Sequence, residues 1–194
     1  MTDRVWIPVA DADAWALATT VDVRDGDLVT LRRDGTDHTV QMTRAELEAL
    51  PAAVLDEAVD DLTALSSVHD ATMLDTLRRR HAADEIFTSI GPVVISVNPF
   101  KPVPSCAPDS IARLSQQGEA APPHVARVAS VAYRKMTGDD GSPPRAQSIL
   151  ISGESGAGKT ECCKLCLMAL ASVSGSSQGA TDGAVASALL LEVR

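Results

Sequence analysis

The sequence predicts an α/β protein, a mixed sheet flanked by helices and preceded by a small β-barrel. Three observations carry this. Short β-type runs separated by turn residues fill the first 50 positions. From Asp60 to Val173, helical and strand-like stretches alternate, the pattern of a parallel or mixed sheet with helices packed on it. Between an apolar run and an apolar helical stretch lies the glycine-rich "GESGAGKT", Gly153 to Thr160.

In the first part, "VWIPV" and "WALATTV" are rich in branched and aromatic residues. "DLVTLRR" and "TDHTVQM" flank Asp34-Gly35, a hairpin signal because glycine accepts positive φ. Four or five strands at this spacing suggest a small barrel, closed by "ELEALP", with a boundary near residue 52. Trp6 and Trp15 are expected in the core or lip of that barrel, with a peptide-binding groove as the sharper alternative.

In the second part, residues 53–194, "DDLTALSSVHDATMLDTLRRRHA" reads as helix, with Leu74 and Leu77 on one stripe and Arg78, Arg79 and Arg80 turned outward. "EIFTSIG" follows. "PVVISVNPF" is a continuous apolar run stopped by Asn98-Pro99, as a buried strand would be. "PDSIARLSQQG" is a short helix. "PPHVARVASVAYRKM" is a longer one, starting at Pro122 where a missing N–H is harmless, with Val125, Val128 and Ala132 inward. "TGDDGSPPRA" is a surface loop, Ser148 to Ser152 a strand, and "KTECCKLCLMALASV" a helix apolar nearly all round. "GSSQGATDG" reads as a linker.

A net charge of −9 argues against nucleic acid or a membrane surface as partner, since both require a cationic footprint. No apolar stretch approaches the length of a membrane span, and the opening residues lack the apolar core of a signal peptide, so a soluble intracellular chain is expected. Cys106, Cys162, Cys163 and Cys166 read as reduced thiols acting as small apolar groups, with a zinc site as the alternative.

Gly153-Glu154-Ser155-Gly156-Ala157-Gly158-Lys159-Thr160 matches G-x-x-x-x-G-K-[ST] in full. Three glycines permit torsions that turn successive N–H groups inward at a helix N-terminus, an arrangement that holds phosphate. Lys159 is expected to reach the β- and γ-phosphates and the Thr160 hydroxyl to coordinate Mg²⁺. At average residue frequencies the bare pattern arises in about 1 in 100 chains of this length, and the strand and helix expected around it lower that further.

"GESGAGKTE" with "QSILIS" before it resembles the phosphate loop of the myosin motor head. Four further blocks fall in that family's order: "VWIPVADADAWALATTV", similar to the SH3-like barrel ahead of many heads, "DDLTALSSVHDATMLDTLRRRH", "EIFTSIGPVVISVNPFK" and "PPHVARVASVAYRKM". "LASVSGSS" is similar to the segment found in the class V and XI group. The resemblance implies a P-loop NTPase fold, ATP and Mg²⁺ as cofactors, an actin filament as partner and a cytoplasmic, cytoskeletal location. It also implies that Asn98, Pro99, Phe100 and Lys101 line the purine pocket and that the helix from Pro122 packs behind the sheet. Cys106 stands where the family carries an aromatic at the adenine, so relaxed base selection is expected, and "ECCK" replaces the usual polar residues. In the family, the switch I and switch II segments, the actin-binding elements, the converter and the lever arm follow the block that "ALLLEVR" begins. The expectation is therefore an amino-terminal piece of a motor head, incomplete as a sheet and without a full catalytic set. An independent small P-loop NTPase or kinase, and a non-enzymatic interaction module with a vestigial loop, are the alternatives.

Overall fold

The computed structural model describes residues 4–10, 14–24, 27–51, 53 and 59–177. They form two compact units, one from the described residues of Met1–Val59 with Ala64–Thr76, the other from those of Asp60–Thr63 with Leu77–Arg194.

The first unit holds an antiparallel meander, β1 (Arg4–Pro8), β2 (Trp15–Arg24), β3 (Leu28–Arg33) and β4 (Thr39–Thr43), paired in that order. Gly35, at φ +75°, turns β3 into β4 at the expected Asp34-Gly35 corner. The Arg4 guanidinium and the Thr19 hydroxyl both donate to the Asp34 carboxylate, Thr19 at 2.8 Å. The Arg4 hydrogen bond is the main cause that holds the Asp34 pKa below its usual value. Alternation along the strands buries Val5, Ile7, Ala16, Ala18, Val29 and Leu31 in one core, with Val40, Met42, Leu47 and Leu50 against it. The register shifts between Thr20 and Asp22, as at a β-bulge. A short helix, α1 (Arg44–Glu48), closes the meander. Its N-cap Thr43 forms a reciprocal capping box with Glu46.

The two tryptophans take different places. Trp6 lies between Val5 and Ile7, so period-two alternation directs it to the opposite face, where it is buried without joining that core. Trp15 is half-buried at the start of β2, and its ring meets the His69 ring edge-on at 4.9 Å.

Helix α2 (Asp70–Ala82) begins ten residues later than the helical texture suggests, after a 3₁₀ turn at Leu62–Ala64. The His69 Nδ1 accepts the Ala71 N–H, and this side-chain bond starts the helix. Leu74 and Leu77 are half-buried, whereas the buried positions are Ala71, Thr72, Thr76 and Arg80. The arginine run therefore splits. Arg78 and Arg79 face outward, but Arg80 falls on the i, i+4 stripe with Thr72 and Thr76 and is 5% exposed. It donates to the Thr88 hydroxyl at 3.0 Å and the Phe87 carbonyl at 2.9 Å, and pairs with Asp60 at 2.6 Å and Glu85 at 3.1 Å.

In the second unit β5 (Phe87–Ile90) and β6 (Val93–Ser96) form an antiparallel hairpin turned by Gly91. One isolated parallel bridge, Asp61 to Ser89, adds to it. Among the described residues the named strands pair antiparallel, and the Asp61 to Ser89 bridge is the parallel contact beside them. β6 is only half-buried, with Val93 exposed, because an edge strand keeps one side free. Residues 148–152 also differ. Ile149 and Ile151 pack on the core while Ser148, Leu150 and Ser152 are exposed, the alternation of a strand. Yet no described segment pairs with it in a ladder, so the segment is not a paired strand.

Helices α3 (Pro108–Gln117), α4 (Val125–Thr137) and α5 (Lys159–Ser177) pack against one another around Ile111, Leu114, Ala126, Ala129, Cys166 and Ala169. Helix α4 starts at the His124 cap, not at Pro122, and buries Val125, Ala126, Ala129 and Ser130; Val128 and Ala132 are half-buried. Gly138, at φ +83°, ends it in the left-handed conformation glycine favours. Helix α5 extends through Ser177 and so takes in the first three residues of the expected linker. The rest of that linker and "ALLLEVR" lie outside the described residues.

His124 is 1% exposed. Its Nδ1 accepts the Ala126 N–H at 2.9 Å, and its ring meets Phe87 at 4.2 Å. Only the neutral ring, with its proton on Nε2, can serve as this cap. Burial lowers its pKa to about 4, against a lesser opposing effect of the Ser105 backbone. The unfolded chain takes up the proton near pH 6.5 and the folded chain only near 4. The contribution is therefore fully present above pH 6.5 and is lost as pH falls toward 4. The expected loss is about 2 kcal/mol at pH 5 and about 3 kcal/mol at pH 4. Urea midpoints at pH 7 and pH 5 test this against His124→Asn, which caps without titrating. Equal acid sensitivity in both proteins would refute it.

Candidate nucleotide-binding site

The loop from Gly153 to Thr160 leaves the 148–152 segment and enters α5. Gly153, Gly156 and Gly158 have φ of +154°, +80° and +91°, torsions that any L side chain would strain. Glycine at these three positions is what lets the backbone turn as it does. The Ala157 N–H closes a turn onto the Glu154 carbonyl at 3.2 Å, and the first helical bond runs from Cys162 N to Gly158 O at 3.0 Å. The N–H groups of Lys159, Thr160 and Glu161 lie in the first turn of α5, where helical acceptors are lacking. Together with the helix dipole they make a patch that favours an anion.

The Lys159 ammonium donates to the Gly153 and Glu154 carbonyls, each at 2.8 Å. The lysine thus arches over its own loop with its charge at the mouth. Thr160 is exposed at the second position of α5, and its neighbour Glu161 is tied to Lys164 at 2.9 Å. A tetrahedral polyanion with a hard divalent cation fits this donor set: backbone N–H groups, one ammonium and one hydroxyl oxygen.

The residues after β6 divide. Asn98 reaches the loop, its Nδ2 donating to the Gly156 carbonyl at 2.8 Å while its Oδ1 accepts the Phe100 N–H at 2.9 Å. Its own carbonyl lies 3.4 Å from the His81 ring. Pro99 is half-buried. Phe100 sits at φ +51° and is 86% exposed, an aromatic ring held out by a strained backbone. Lys101 pairs with Asp84 at 2.6 Å, so its charge is engaged in the turn after α2.

Cys106, in a 3₁₀ turn at Pro104–Cys106, packs against the helical core, and burial pushes its thiol pKa up. Its side chain is half-buried against that core. Cys162 and Cys166 are buried in the same core, and burial raises the Cys166 pKa to about 11. No group of three or more potential metal-ligating side chains occurs among the described residues.

A cleft of about 500 Å³ opens beside the loop, lined by Val94, Ser96, Ile149, Ile151, Lys159 and Cys162. It lies between β6 and the unpaired 148–152 segment. No described helix is long and apolar enough to cross a membrane.

Two features of the second unit were not anticipated from the residues, the Asn98 contact to the loop and the His124 cap of α4. A histidine directly ahead of "VARVAS" was a readable cap signal. Nothing local announces a contact spanning 58 positions.

The family model for the myosin head (motor domain) matches residues 59–192. The chain is 38% identical over 160 residues to the high molecular weight form of myosin-1 of Acanthamoeba castellanii, covering 82% of this chain and 10% of that protein. It is 38% identical over 186 residues to Myosin-15 of Arabidopsis thaliana, covering 89% and 11%. With the Myosin IB heavy chain of Dictyostelium discoideum, identity is 42% over 123 residues, covering 63% and 11%. The chain spans about a tenth of the length of these relatives.

Proposed function

The chain belongs to the myosin head (motor domain) family, and on that premise we propose that it forms the ATP-binding portion of an actin-based motor. The observation that carries this is the loop itself. Three glycines hold left-handed torsions, and a lysine charge and a helix N-terminus stand at one place. The first-turn N–H groups of α5 hold the phosphates, the Lys159 ammonium leaves its carbonyls to reach the β- and γ-phosphates, and the Thr160 hydroxyl binds Mg²⁺. Magnesium supplies the positive charge that offsets the triphosphate. Pro99, Phe100 and Lys101 form the purine side, where the exposed Phe100 ring offers a stacking face.

In domain terms, residues 1–52 act as an SH3-like module and 53–194 as part of the motor domain. Hydrolysis, movement on actin and a cytoskeletal place in the cytoplasm belong to the whole protein. Within the family we place the chain with the class V and XI group on the strength of "LASVSGSS". No observation favours the independent NTPase or the vestigial-loop module.

Calorimetric titration with Mg·ATP and with Mg·tripolyphosphate tests the reading. Saturable binding of both at one site per chain is the expected outcome, with mutual competition. Failure of both ligands to bind would overturn it.

A further inference from the structure

Asn98 joins two segments that the sequence keeps far apart. It stands just past β6, and Val97 ahead of it is still held by the Ile86 carbonyl at 3.0 Å. Its side-chain amide is used at both ends, Nδ2 to Gly156 O at 2.8 Å and Oδ1 from Phe100 N at 2.9 Å. A Cβ built at Gly158 would lie 3.7 Å from the Asn98 Cγ, so the amide lies against the loop between Gly156 and Gly158.

We propose that Asn98 is a positioning residue of the phosphate loop, its amide fixing the Gly156 peptide and so the crest of the loop. This rests on the reading of Gly153–Thr160 as a triphosphate site, and it gives Asn98 a role other than lining the purine. A trans peptide directs its C=O and the following N–H in opposite directions. Anchoring Gly156 O therefore fixes the direction of the Ala157 N–H, which here meets Glu154 O. Gly156 has open space around it and left-handed torsions, so the loop's own packing does little to hold its crest. An amide brace from a strand end supplies that restraint. The acceptor end does separate work by closing an Asx-type turn that keeps Phe100 at φ +51°.

The two ends can be separated chemically. A carboxylate still accepts the Phe100 N–H but cannot donate to Gly156, and it sets like partial charges against that carbonyl. Asn98→Asp thus keeps the turn and breaks the brace, whereas Asn98→Ala removes both. The probes are Mg·ATP and Mg·tripolyphosphate, the second lacking any base. Loss of the brace is expected to weaken both ligands by the same factor, about 3- to 10-fold in Asn98→Ala and more in Asn98→Asp. The far-UV circular dichroism should stay unchanged. A residue that reads the base would weaken ATP alone. Unchanged tripolyphosphate affinity in a folded Asn98→Asp protein therefore overturns the proposal, and if that variant does not fold, the same result in Asn98→Ala does so. An unmutated chain that binds neither probe overturns the loop assignment and this inference together. An unmutated chain that binds both, beside variants that bind equally well, overturns this inference alone.

Discussion

Arg80→Ala is expected to lower the stability of the second unit by about 3 kcal/mol. Arg80 gathers four groups: the Phe87 carbonyl, the Thr88 hydroxyl and the carboxylates of Asp60 and Glu85. The carboxylates are 64% and 56% exposed, so without the arginine they return to water at small cost. The larger loss lies with Phe87 and Thr88, which are 3% and 1% exposed. Their polar atoms would be left without their present partner, beside the space vacated by a long side chain. The arginine also holds Asp60 in place, whose backbone carbonyl accepts the Ser89 N–H at 2.8 Å, so the β5 edge loosens with it. Arg80→Lys should recover only a part, because one ammonium cannot reproduce a planar fork aimed at several acceptors. Urea unfolding followed by circular dichroism measures this. A midpoint for Arg80→Ala within about 0.5 kcal/mol of the unmutated protein, the range of an ordinary surface substitution, would show that the buried network is not holding the hairpin to α2.

That arginine also marks where sequence reasoning runs out. "LRRRH" presents three cations in a row, and a charge run is normally a solvated face. What separates Arg80 from its neighbours is the spacing Thr72, Thr76, Arg80, a polar stripe that periodicity in apolar residues passes over. Features whose cause is local were legible. The Asp34-Gly35 corner and the glycines of the Gly153–Thr160 loop each need torsions that one residue type supplies. Features set by distant partners were not. Residues 148–152 alternate as a strand, but pairing depends on what lies beside them. Val128 and Ala132 have the right period for an inner face of α4, yet the helices meet closely at Ala126, Ala129 and Ala169, where small side chains let them approach. Cys106 occupies a position that family resemblance assigns to the base, and its half-buried packing against the helical core is an outcome that its spacing could not disclose.

Lys159→Ala is expected to weaken Mg·ATP binding by about 10- to 150-fold, the equivalent of roughly 1.5–3 kcal/mol for a charge-assisted contact. The Lys159 ammonium makes two hydrogen bonds to the Gly153 and Glu154 carbonyls. Binding must therefore exchange part of that cradle for phosphate oxygens, and the gain is the difference between the two. The mutation removes both sides of the exchange. It also frees two carbonyls at the start of the loop, which are exposed and can turn to water, so the fold should lose little. Stability and affinity thus separate: urea midpoints should change by less than about 1 kcal/mol, as for other exposed hydrogen bonds, while affinity falls by at least tenfold. Lys159→Arg gives a second reading. It keeps the charge but replaces a compact ammonium by a broad planar fork whose geometry differs from that of the ammonium on the two carbonyls. Affinity between that of the unmutated chain and that of Lys159→Ala is expected. Salt adds a further check, since a lost cation at the phosphate should leave Mg·ATP binding less sensitive to ionic strength. Unchanged affinity in Lys159→Ala would mean that the ammonium stays on its own carbonyls when nucleotide is bound, and the loop's grip would then have to come from the α5 N-terminus alone.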